Sequence, residues 1–394
     1  MRPTLALLAG LFPLLACGDS TGPVVPLPEP AALALGANHA CRATESATWC
    51  WGAGAGGQLG RAEPVPIGLP AVVEGAPPFV SLAAGDGHTC GLDAAGTVWC
   101  WGLHGDGQLG VGDTPLGTCD GVPCAPLPVA VPGLAGATAI AAGGTTTCAL
   151  DANGRATCWG RNDLYQLGTT TAPDDCGFYA CSRSPVPVSG GLGFRAISVS
   201  ANDHACGLTR SAEAWCWGFG RQGQLGNDLL VDRSLPVRVA GGHAFRRIAA
   251  GGLHTCAVDG AERAWCWGID AVGAGGSPLE AHVPVRVASD VRFGLVASAR
   301  YTSCGLAMDG RAWCWGPNAQ GEIGTEPVGA AIRYDTPTGV SGGRRFGALA
   351  PGSFTYCALD EAGGTWCWGD GRSGELADPS LDLSTIPVRI AFPD

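Results

Sequence analysis

One tetrapeptide, Trp-Cys-Trp-Gly, recurs along the 394-residue chain and constrains its fold more than any other feature. Thr157-Cys158-Trp159-Gly160 is a variant seventh copy, and the seven copies together contain all 13 tryptophans. The six identical copies lie at residues 49–52, 99–102, 215–218, 265–268, 313–316 and 366–369. A period of about fifty residues is typical of supersecondary units that bury their apolar faces only against one another. The sequence therefore predicts one array of seven units.

The composition indicates an all-β fold and excludes one class of partner. The chain has 64 glycines, 29 prolines and only 14% charged residues, which fits many short strands joined by tight turns. All of its basic residues are arginines, and the formal net charge is −11. Because nucleic-acid affinity depends on neutralising phosphates, a chain this acidic and without a basic run is not expected to bind DNA or RNA.

Residues 79–110 show how one unit is built. A short strand at 79–85 precedes two strand-like segments, 88–93 and 97–102, that are joined by Ala94-Ala95-Gly96. Such a three-residue hairpin loop ends in a left-handed residue, usually glycine. Glycine recurs there in other units, whereas Ala212 and Glu262 leave the loop conformation open in theirs. The first unit is one residue shorter, which predicts a two-residue turn at Glu45-Ser46.

The cysteines fall into pairs that this hairpin would place opposite each other. Centring the loop on Ala95 pairs Leu92 with Val98 and Cys90 with Cys100, at the Cα separation of about 4.5–5.5 Å that a disulfide needs. Zinc sites use shorter spacings than the repeat pairs do. Reduced cysteines do not suit a chain that is exported, as the amino terminus predicts below. We therefore predict nine local disulfides: Cys41–Cys50, Cys90–Cys100, Cys119–Cys124, Cys148–Cys158, Cys176–Cys181, Cys206–Cys216, Cys256–Cys266, Cys304–Cys314 and Cys357–Cys367.

The amino terminus predicts export and a lipid anchor. Residues 1–16 form a short apolar segment typical of a signal peptide, and Leu14-Leu15-Ala16-Cys17 resembles the lipobox of bacterial lipoproteins. That resemblance implies lipidation of Cys17; the alternative is an ordinary signal peptide followed by a chance cysteine. Residues 17–30 are proline-rich and predict a semi-stiff tether. The expected location is the bacterial cell envelope, and Gly18 favours the outer membrane of a diderm cell.

After each hairpin come Gly-Gln-Leu-Gly or a degraded form, and then a Pro-Val segment. With the preceding Ala-Ala-Gly-x-x-His-x-Cys, this order resembles the repeat of the regulator of chromosome condensation family. The resemblance implies a seven-bladed β-propeller over residues 31–394, with one disulfide-linked hairpin per blade. The family histidine is kept at His39, His88, His204 and His254, and threonine replaces it at Thr146, Thr302 and Thr355. We expect these histidines to be structural.

The two ends of the repeat array predict how the ring closes. Residues 31–36 begin the first repeat with no Pro-Val strand before them, whereas residues 386–392 add such a strand after the last repeat. A C-terminal strand that completed the first blade would leave no open sheet edge. We therefore expect the propeller to be closed by this strand.

Two insertions supply the candidate binding residues. They follow the second and third Gly-Gln-Leu-Gly motifs, contain the pairs Cys119/Cys124 and Cys176/Cys181, and should lie on one face of the ring. We assign partner contact to Asp120, Val122, Phe178 and Tyr179. The alternative is that these loops only cover blade edges. Asp174 and Asp175 are expected to be merely solvated.

The sequence predicts a binding protein rather than an enzyme, because no nucleophile with a base, nucleotide-binding glycine motif or metal spacing is visible. We expect a monomeric, lipid-anchored scaffold without a cofactor that engages a protein or glycan. The family resemblance implies two alternatives. One is guanine nucleotide exchange on a small GTPase, which export disfavours, and the other is enzyme inhibition, as in secreted β-lactamase inhibitor proteins. Because propellers host both enzymes and binders, a third alternative is a hydrolase or lyase in the central channel, for which no residues can be named.

Overall fold

The computed structural model describes residues 32–63, 68–134, 136–269, 280–380 and 382–393, which form seven antiparallel sheets. Blade 1 contains β1 (Leu33–Leu35), β2 (His39–Ala43), β3 (Thr48–Gly52) and β4 (Ala71–Val72). Blade 2 contains β5 (Phe79–Ala84), β6 (His88–Asp93), β7 (Val98–Leu103), β8 (Gly117–Cys119) and β9 (Val122–Ala130). Blade 3 contains β10 (Ala137–Gly143), β11 (Thr146–Asp151), β12 (Ala156–Arg161), β13 (Asp174–Asp175) and β14 (Ala180–Pro187).

The remaining four blades have four strands each. Blade 4 contains β15 (Phe194–Val199), β16 (His204–Thr209), β17 (Ala214–Gly218) and β18 (Arg233–Arg238). Blade 5 contains β19 (Phe245–Ala250), β20 (His254–Asp259), β21 (Ala264–Ile269) and β22 (Glu280–Arg286). Blade 6 contains β23 (Phe293–Ser298), β24 (Ser303–Ala307), β25 (Ala312–Pro317) and β26 (Arg333–Gly339). Blade 7 contains β27 (Phe346–Pro351), β28 (Thr355–Asp360), β29 (Thr365–Asp370) and β30 (Leu383–Arg389).

The seven sheets form a closed ring, which confirms the predicted propeller. The first strand of each blade contacts the first strand of the next, and β27 contacts β1. In blade 2, Cys90 lies opposite Cys100 and Leu92 opposite Val98, as predicted. All nine predicted disulfides are present. Ala212 and Glu262 adopt φ of 65° and 64°, so their loops take the same left-handed conformation without glycine.

The core lies between the blades. Trp101 is fully buried against Phe79, with ring centroids 5.7 Å apart, and its Nε1 donates to the carbonyl oxygen of Gln58 in blade 1 at 2.9 Å. Gly60, in the same Gly-Gln-Leu-Gly motif, has φ of 72°, and a Cβ there would lie 3.1 Å from Trp101 Nε1. The second tryptophans Trp51, Trp159, Trp217, Trp267 and Trp368 make the equivalent bond. The motif of one blade thus holds the tryptophan of the next.

The four repeated histidines also connect neighbouring blades. His39 Nε2 lies 2.8 Å from Thr89 Oγ1, and the Thr89 hydroxyl donates to the Gln58 carbonyl at 3.1 Å, so the imidazole N–H is the donor to Thr89. His88, His204 and His254 contact Thr147, Thr255 and Ser303 in the same way. Burial lowers the pKa of these histidines to about 3 or 4. Their predicted structural role is confirmed.

The C-terminal strand lies in the seventh blade, so our expectation that it completes the first blade is wrong. β30 pairs with β29, while blade 1 has its own fourth strand, β4, paired with β3. In all seven sheets the fourth strand pairs with the third strand of the hairpin that precedes it, and therefore neither end of the array lacks or adds a strand. Side chains join blades 7 and 1 instead: Phe392 packs edge-on against Trp51 at 5.7 Å, and Trp51 Nε1 donates to the Glu375 carbonyl at 2.8 Å.

The alternation of strand direction gives the ring two faces. We call "insertion face" the one formed by the loops between first and second strands and between third and fourth strands, because both insertions lie there. We call "hairpin face" the opposite one, formed by the loops between second and third strands and by the links between blades. No helix of the described residues is long and apolar enough to cross a membrane.

Candidate binding surface on the insertion face

The first insertion is a small hairpin formed by β8 and β9. Cys119 lies opposite Val122, and the two turn residues, Asp120 and Gly121, have φ of 48° and 79°. Left-handed conformations at both turn positions are typical of a tight two-residue hairpin, which Asp-Gly favours. Asp120 and Val122 are exposed, as a partner-binding role requires.

The second insertion presents two aromatic side chains. Cys176 N–H donates to the Tyr179 carbonyl at 3.1 Å and closes a turn whose tip is Gly177-Phe178. The Phe178 side chain is 96% exposed and that of Tyr179 is 39% exposed. A phenyl ring so exposed gains nothing from folding, and aromatic residues of this kind are typical anchors of protein interfaces.

The aspartates of this loop have a structural role that the sequence analysis missed. Asp174 Oδ2 accepts from the Arg183 backbone N–H at 2.7 Å, and Asp175 Oδ1 accepts from the Gly177 N–H at 2.9 Å. These bonds fix both arms of the loop, so our expectation that the two carboxylates are merely solvated is wrong. The disulfide Cys176–Cys181 and these aspartates together pre-order the segment that carries Phe178.

The Tyr179 ring packs against an ion pair. The Arg161 guanidinium lies 3.6 Å from the centroid of the Tyr179 ring, and its Nη2 donates to Asp163 Oδ2 at 2.7 Å. Burial alone would raise the pKa of Asp163, but the bonds from Arg161 hold it below its ordinary value. The Tyr179 ring is therefore fixed on a charged pair, whereas Phe178 makes no comparable contact.

Each insertion rests at its base on the preceding blade. A Cβ on Gly57 of blade 1 would lie 3.3 Å from Cys119 Sγ, and the Gly112 N–H of blade 2 donates to the Arg183 carbonyl at 2.8 Å. The bases of the loops thus cover blade edges, as our alternative interpretation holds. The tips, with Val122 and Phe178, remain exposed, so covering an edge does not account for them.

Three further aspartates make the insertion face acidic near these loops. Burial raises the pKa of Asp86, Asp106 and Asp203 above the ordinary value of 3.8, and Arg161 or Arg300 opposes this shift only in part. A carboxylate that is costly to ionise in isolation is stabilised by an added cation. Electrostatically, this part of the face suits positively charged groups of a ligand.

One exposed apolar run on the same face was not predicted from the sequence. Leu229, Leu230 and Val231 follow one another in the loop between β17 and β18, and their side chains are 45–48% exposed. Three consecutive exposed apolar residues do not stabilise a monomer. The sequence does contain a signal for this surface, because three consecutive apolar residues stand between the polar Asn227-Asp228 and Asp232.

A central channel opens between the first strands of the blades. It encloses about 370 Å³ and is lined mainly by small apolar residues, with Asp86, Ser198, Ser298 and Ser353 as its polar members. None of the described residues in this lining is a histidine that could activate a serine. No cluster of three or more metal-ligating side chains forms within the described part of the chain.

Comparison with known proteins agrees with this geometry. The model of the Regulator of chromosome condensation (RCC1) repeat matches residues 46–92, 95–150 and 211–258, and a second model of that description matches 79–108 and 137–166. The chain carries RCC1 repeats. Human WBSCR16 shares the fold with a TM-score of 0.75 at 19% identity over 88% of this chain and 94% of its own. Prp20p of Saccharomyces cerevisiae superposes with a TM-score of 0.74 at 23% identity over 92% and 86% of the chains.

Two Arabidopsis thaliana proteins are related in sequence over shorter stretches. The ultraviolet-B receptor UVR8 is 29% identical over 231 residues, which is 56% of this chain and 48% of UVR8. The mitochondrial RCC1 domain-containing protein RUG3 is 31% identical over 101 residues, or 25% of this chain and 21% of RUG3. The chain thus matches about half of one relative's length and a fifth of the other's.

Proposed function

We propose that this protein is an extracytoplasmic, lipid-anchored scaffold that binds a protein partner through its insertion face. The observation that carries the proposal is Phe178, which is 96% exposed at the tip of a loop closed by a disulfide. Because this loop is already ordered, little conformational entropy remains to be lost when a partner binds. Tyr179 adjoins Phe178 in the same loop, and Val122 and Leu229–Val231 are further exposed apolar residues on this face, which also carries acidic side chains.

Two further observations favour a binding role over a catalytic one. The structure report on Prp20p describes binding to Gsp1p and histones, and UVR8 is named as a receptor. Both names describe recognition of another molecule rather than turnover of a substrate. An oxidising compartment is favoured by the nine disulfides, which are rare in reduced cytoplasm.

The anchoring part of the proposal depends on Cys17, which lies outside the described residues. Replacing Cys17 with serine removes the sulfur that would be acylated. After cell lysis and a high-salt wash of the membranes, which releases protein held by charge alone, the variant should appear in the soluble fraction, whereas the parent sediments with membranes. Equal membrane association of both would contradict the anchor and leave the binding surface untouched.

The binding surface is tested by the double variant Phe178→Ala/Tyr179→Ala. Partners captured from envelope extracts by the parent should be lost, and affinity for the isolated partner should fall by about 2 kcal/mol or more. Ile386→Ala removes another exposed apolar residue, 53% exposed in blade 7, and should retain the partner. Unchanged affinity in the double variant would move the site to the hairpin face or the channel, and capture that survives protease digestion would identify a glycan.

A further inference from the structure

Three arginines lie side by side on the hairpin face, where the first strands of blades 4 and 5 begin. Arg195 follows Phe194 in β15, and Arg246 and Arg247 follow Phe245 in β19. In other blades the residue after this leading position is Val80, Thr138 or Gly294, and the next is Ser81, Ala139 or Leu295. Since small or apolar residues satisfy the blade there, the fold does not require these arginines.

Contacts across the blade boundary bring the three guanidinium groups together. Arg195 Nε donates to the Thr209 carbonyl at 3.2 Å, and its Nη2 donates to the Phe245 carbonyl of the next blade at 2.7 Å. Burial lowers the pKa of Arg195, and the positive charge of Arg246 lowers it further. Burial is also the main reason for the lowered pKa of Arg247, with smaller contributions from the charges of Arg195 and Arg246. Mutual repulsion therefore acts within the cluster. Arg247 Nε is buried without a hydrogen-bond partner among the described residues.

No carboxylate compensates this charge in the described part of the chain. Thr209 lies opposite Phe194, at the position that Asp93, Asp151, Asp259 and Asp360 occupy in other blades. Asp259 lies opposite Phe245, but its Oδ2 already accepts from Arg263 Nε at 2.8 Å and from Trp265 Nε1 at 3.0 Å. On the same face, Arg238 and Arg311 each form an ion pair.

We propose that Arg195, Arg246 and Arg247 form a binding site for a phosphate group on the hairpin face. Arg246 and Arg247 can offer the paired guanidinium N–H donors that match the oxygens of a phosphate, while Arg195, whose Nε and Nη2 already donate to carbonyls, contributes its charge. A group carrying up to two negative charges relieves the repulsion among the three cations. In a chain of net charge −11, an uncompensated arginine cluster is not explained by solubility.

Two sources of the phosphate fit this chemistry, a phospholipid headgroup and a soluble phosphate. Ala32, the residue before β1, also lies on the hairpin face, where its carbonyl accepts from the Ala43 N–H at 2.8 Å. An anchor at Cys17 would therefore attach the propeller from the side that carries the arginines. A lipid chain together with basic residues binds anionic membranes more firmly than either alone, which favours the headgroup.

The test uses residues 17–394 with Cys17→Ser, so that neither the apolar signal segment nor an acyl group contributes. It should sediment with phosphatidylglycerol-containing vesicles and not with vesicles of phosphatidylcholine alone, and pyrophosphate binding is measured by calorimetry. Arg246→Gln/Arg247→Gln should weaken binding about tenfold or more. Arg155→Gln/Arg311→Gln removes the same charge from the same face and should have little effect.

The outcomes separate the site from its alternatives. Equal weakening by both double variants would show attraction to the whole face, and the absence of binding to vesicles and pyrophosphate alike would remove the site. Binding to vesicles alone assigns the site to a lipid headgroup, and binding to pyrophosphate assigns it to a soluble ligand. If the double variant melts at a lower temperature than the parent, the test is repeated with the single variant Arg246→Gln, which replaces an exposed side chain.

Discussion

The loops of the same repeat differ between the two faces of the propeller. On the hairpin face the loops between second and third strands are short, and four of them are fixed by an aspartate that accepts two backbone N–H bonds, as Asp93 does from Ala95 and Thr97. On the insertion face the loops between third and fourth strands differ in length and carry two extra disulfides. The exposed apolar tips lie on this second face.

The reason for this difference is the position of the contacts that hold the ring. Within the described residues, each loop between a third and a fourth strand carries the Gly-Gln-Leu-Gly segment or its equivalent near its start. The second residue of that segment accepts from the next blade's tryptophan, as Gln58 does from Trp101. Chain added after this segment, as at Cys119 and Cys176, does not disturb the bond. Stability is thus concentrated in the repeated part, and binding surfaces can vary outside it.

The largest expected effect contrasts the two tryptophans of one hairpin. Trp101→Ala removes a fully buried ring and its bond to Gln58, and should lower the free energy of unfolding by about 3–5 kcal/mol. Trp99→Ala, two residues away and only partly buried, should lower it by about 1 kcal/mol. Urea unfolding measures both. Similar losses would mean that the inter-blade layer is not where stability is concentrated.

A smaller effect separates the disulfides of the repeat from those of the insertions. Cys90→Ala/Cys100→Ala opens a bridge buried in blade 2, and should cost about 2–3 kcal/mol of unfolding free energy. Cys119→Ala/Cys124→Ala should cost less than about 1 kcal/mol, because the exposed β8–β9 hairpin can open without unfolding the blade. Hydrogen exchange in residues 117–124 should nevertheless rise. Comparable losses of stability would contradict the independence of the insertion face.

The hairpins and their cysteine pairs could be predicted because both depend on residues at most ten positions apart. Opposing Cys90 and Cys100 also fixes which face Trp101 occupies, and so the inter-blade layer. Ring closure could not be predicted in the same way. A Pro-Val strand can pair with the hairpin before or after it, and a periodic sequence does not distinguish the two.

The binding features were only partly predictable for a related reason. Phe178 and Tyr179 interrupt the repeat, so the sequence itself marks them. Arg195 and Arg246, in contrast, lie in the repeated strand and are about fifty residues apart. Only the contact between blades 4 and 5 brings them together.

The last expected effect appears as a slope with pH rather than as a fixed loss of stability, and concerns two buried carboxylates in the repeated part of the insertion face. Glu322 and Glu375 occupy the position that Gln58, Gln108, Gln166 and Gln224 hold in other blades, and their side chains are 2% and 4% exposed. Glu322 Oε2 accepts from the Gln320 N–H at 2.7 Å and Glu375 Oε2 from the Ser373 N–H at 3.0 Å. Burial raises the pKa of both to about 7. Asp370 adds to the shift at both sites, while Arg372 opposes it at Glu375.

These groups should make the protein less stable as the pH rises. Between the ordinary pKa of 4.5 and about 7, the folded chain keeps protons that the unfolded chain has lost, so the stability gained is present below 4.5 and disappears through about 7. The histidines buried between blades act oppositely, because their lowered pKa destabilises the fold below 6.5.

Glu322→Gln/Glu375→Gln isolates the carboxylates, since the histidines contribute equally to parent and variant. Relative to the parent, each substitution should flatten the decline in stability from about pH 5 to about pH 7 by at most about 1.4 kcal/mol per pH unit. Urea unfolding across this range measures the difference, and Glu361→Gln, an exposed glutamate of the hairpin face, is the control. If parent and variant depend on pH identically, both carboxylates are ionised at no cost, and the Gly-Gln-Leu-Gly position is less tightly enclosed than its hydrogen bonds indicate.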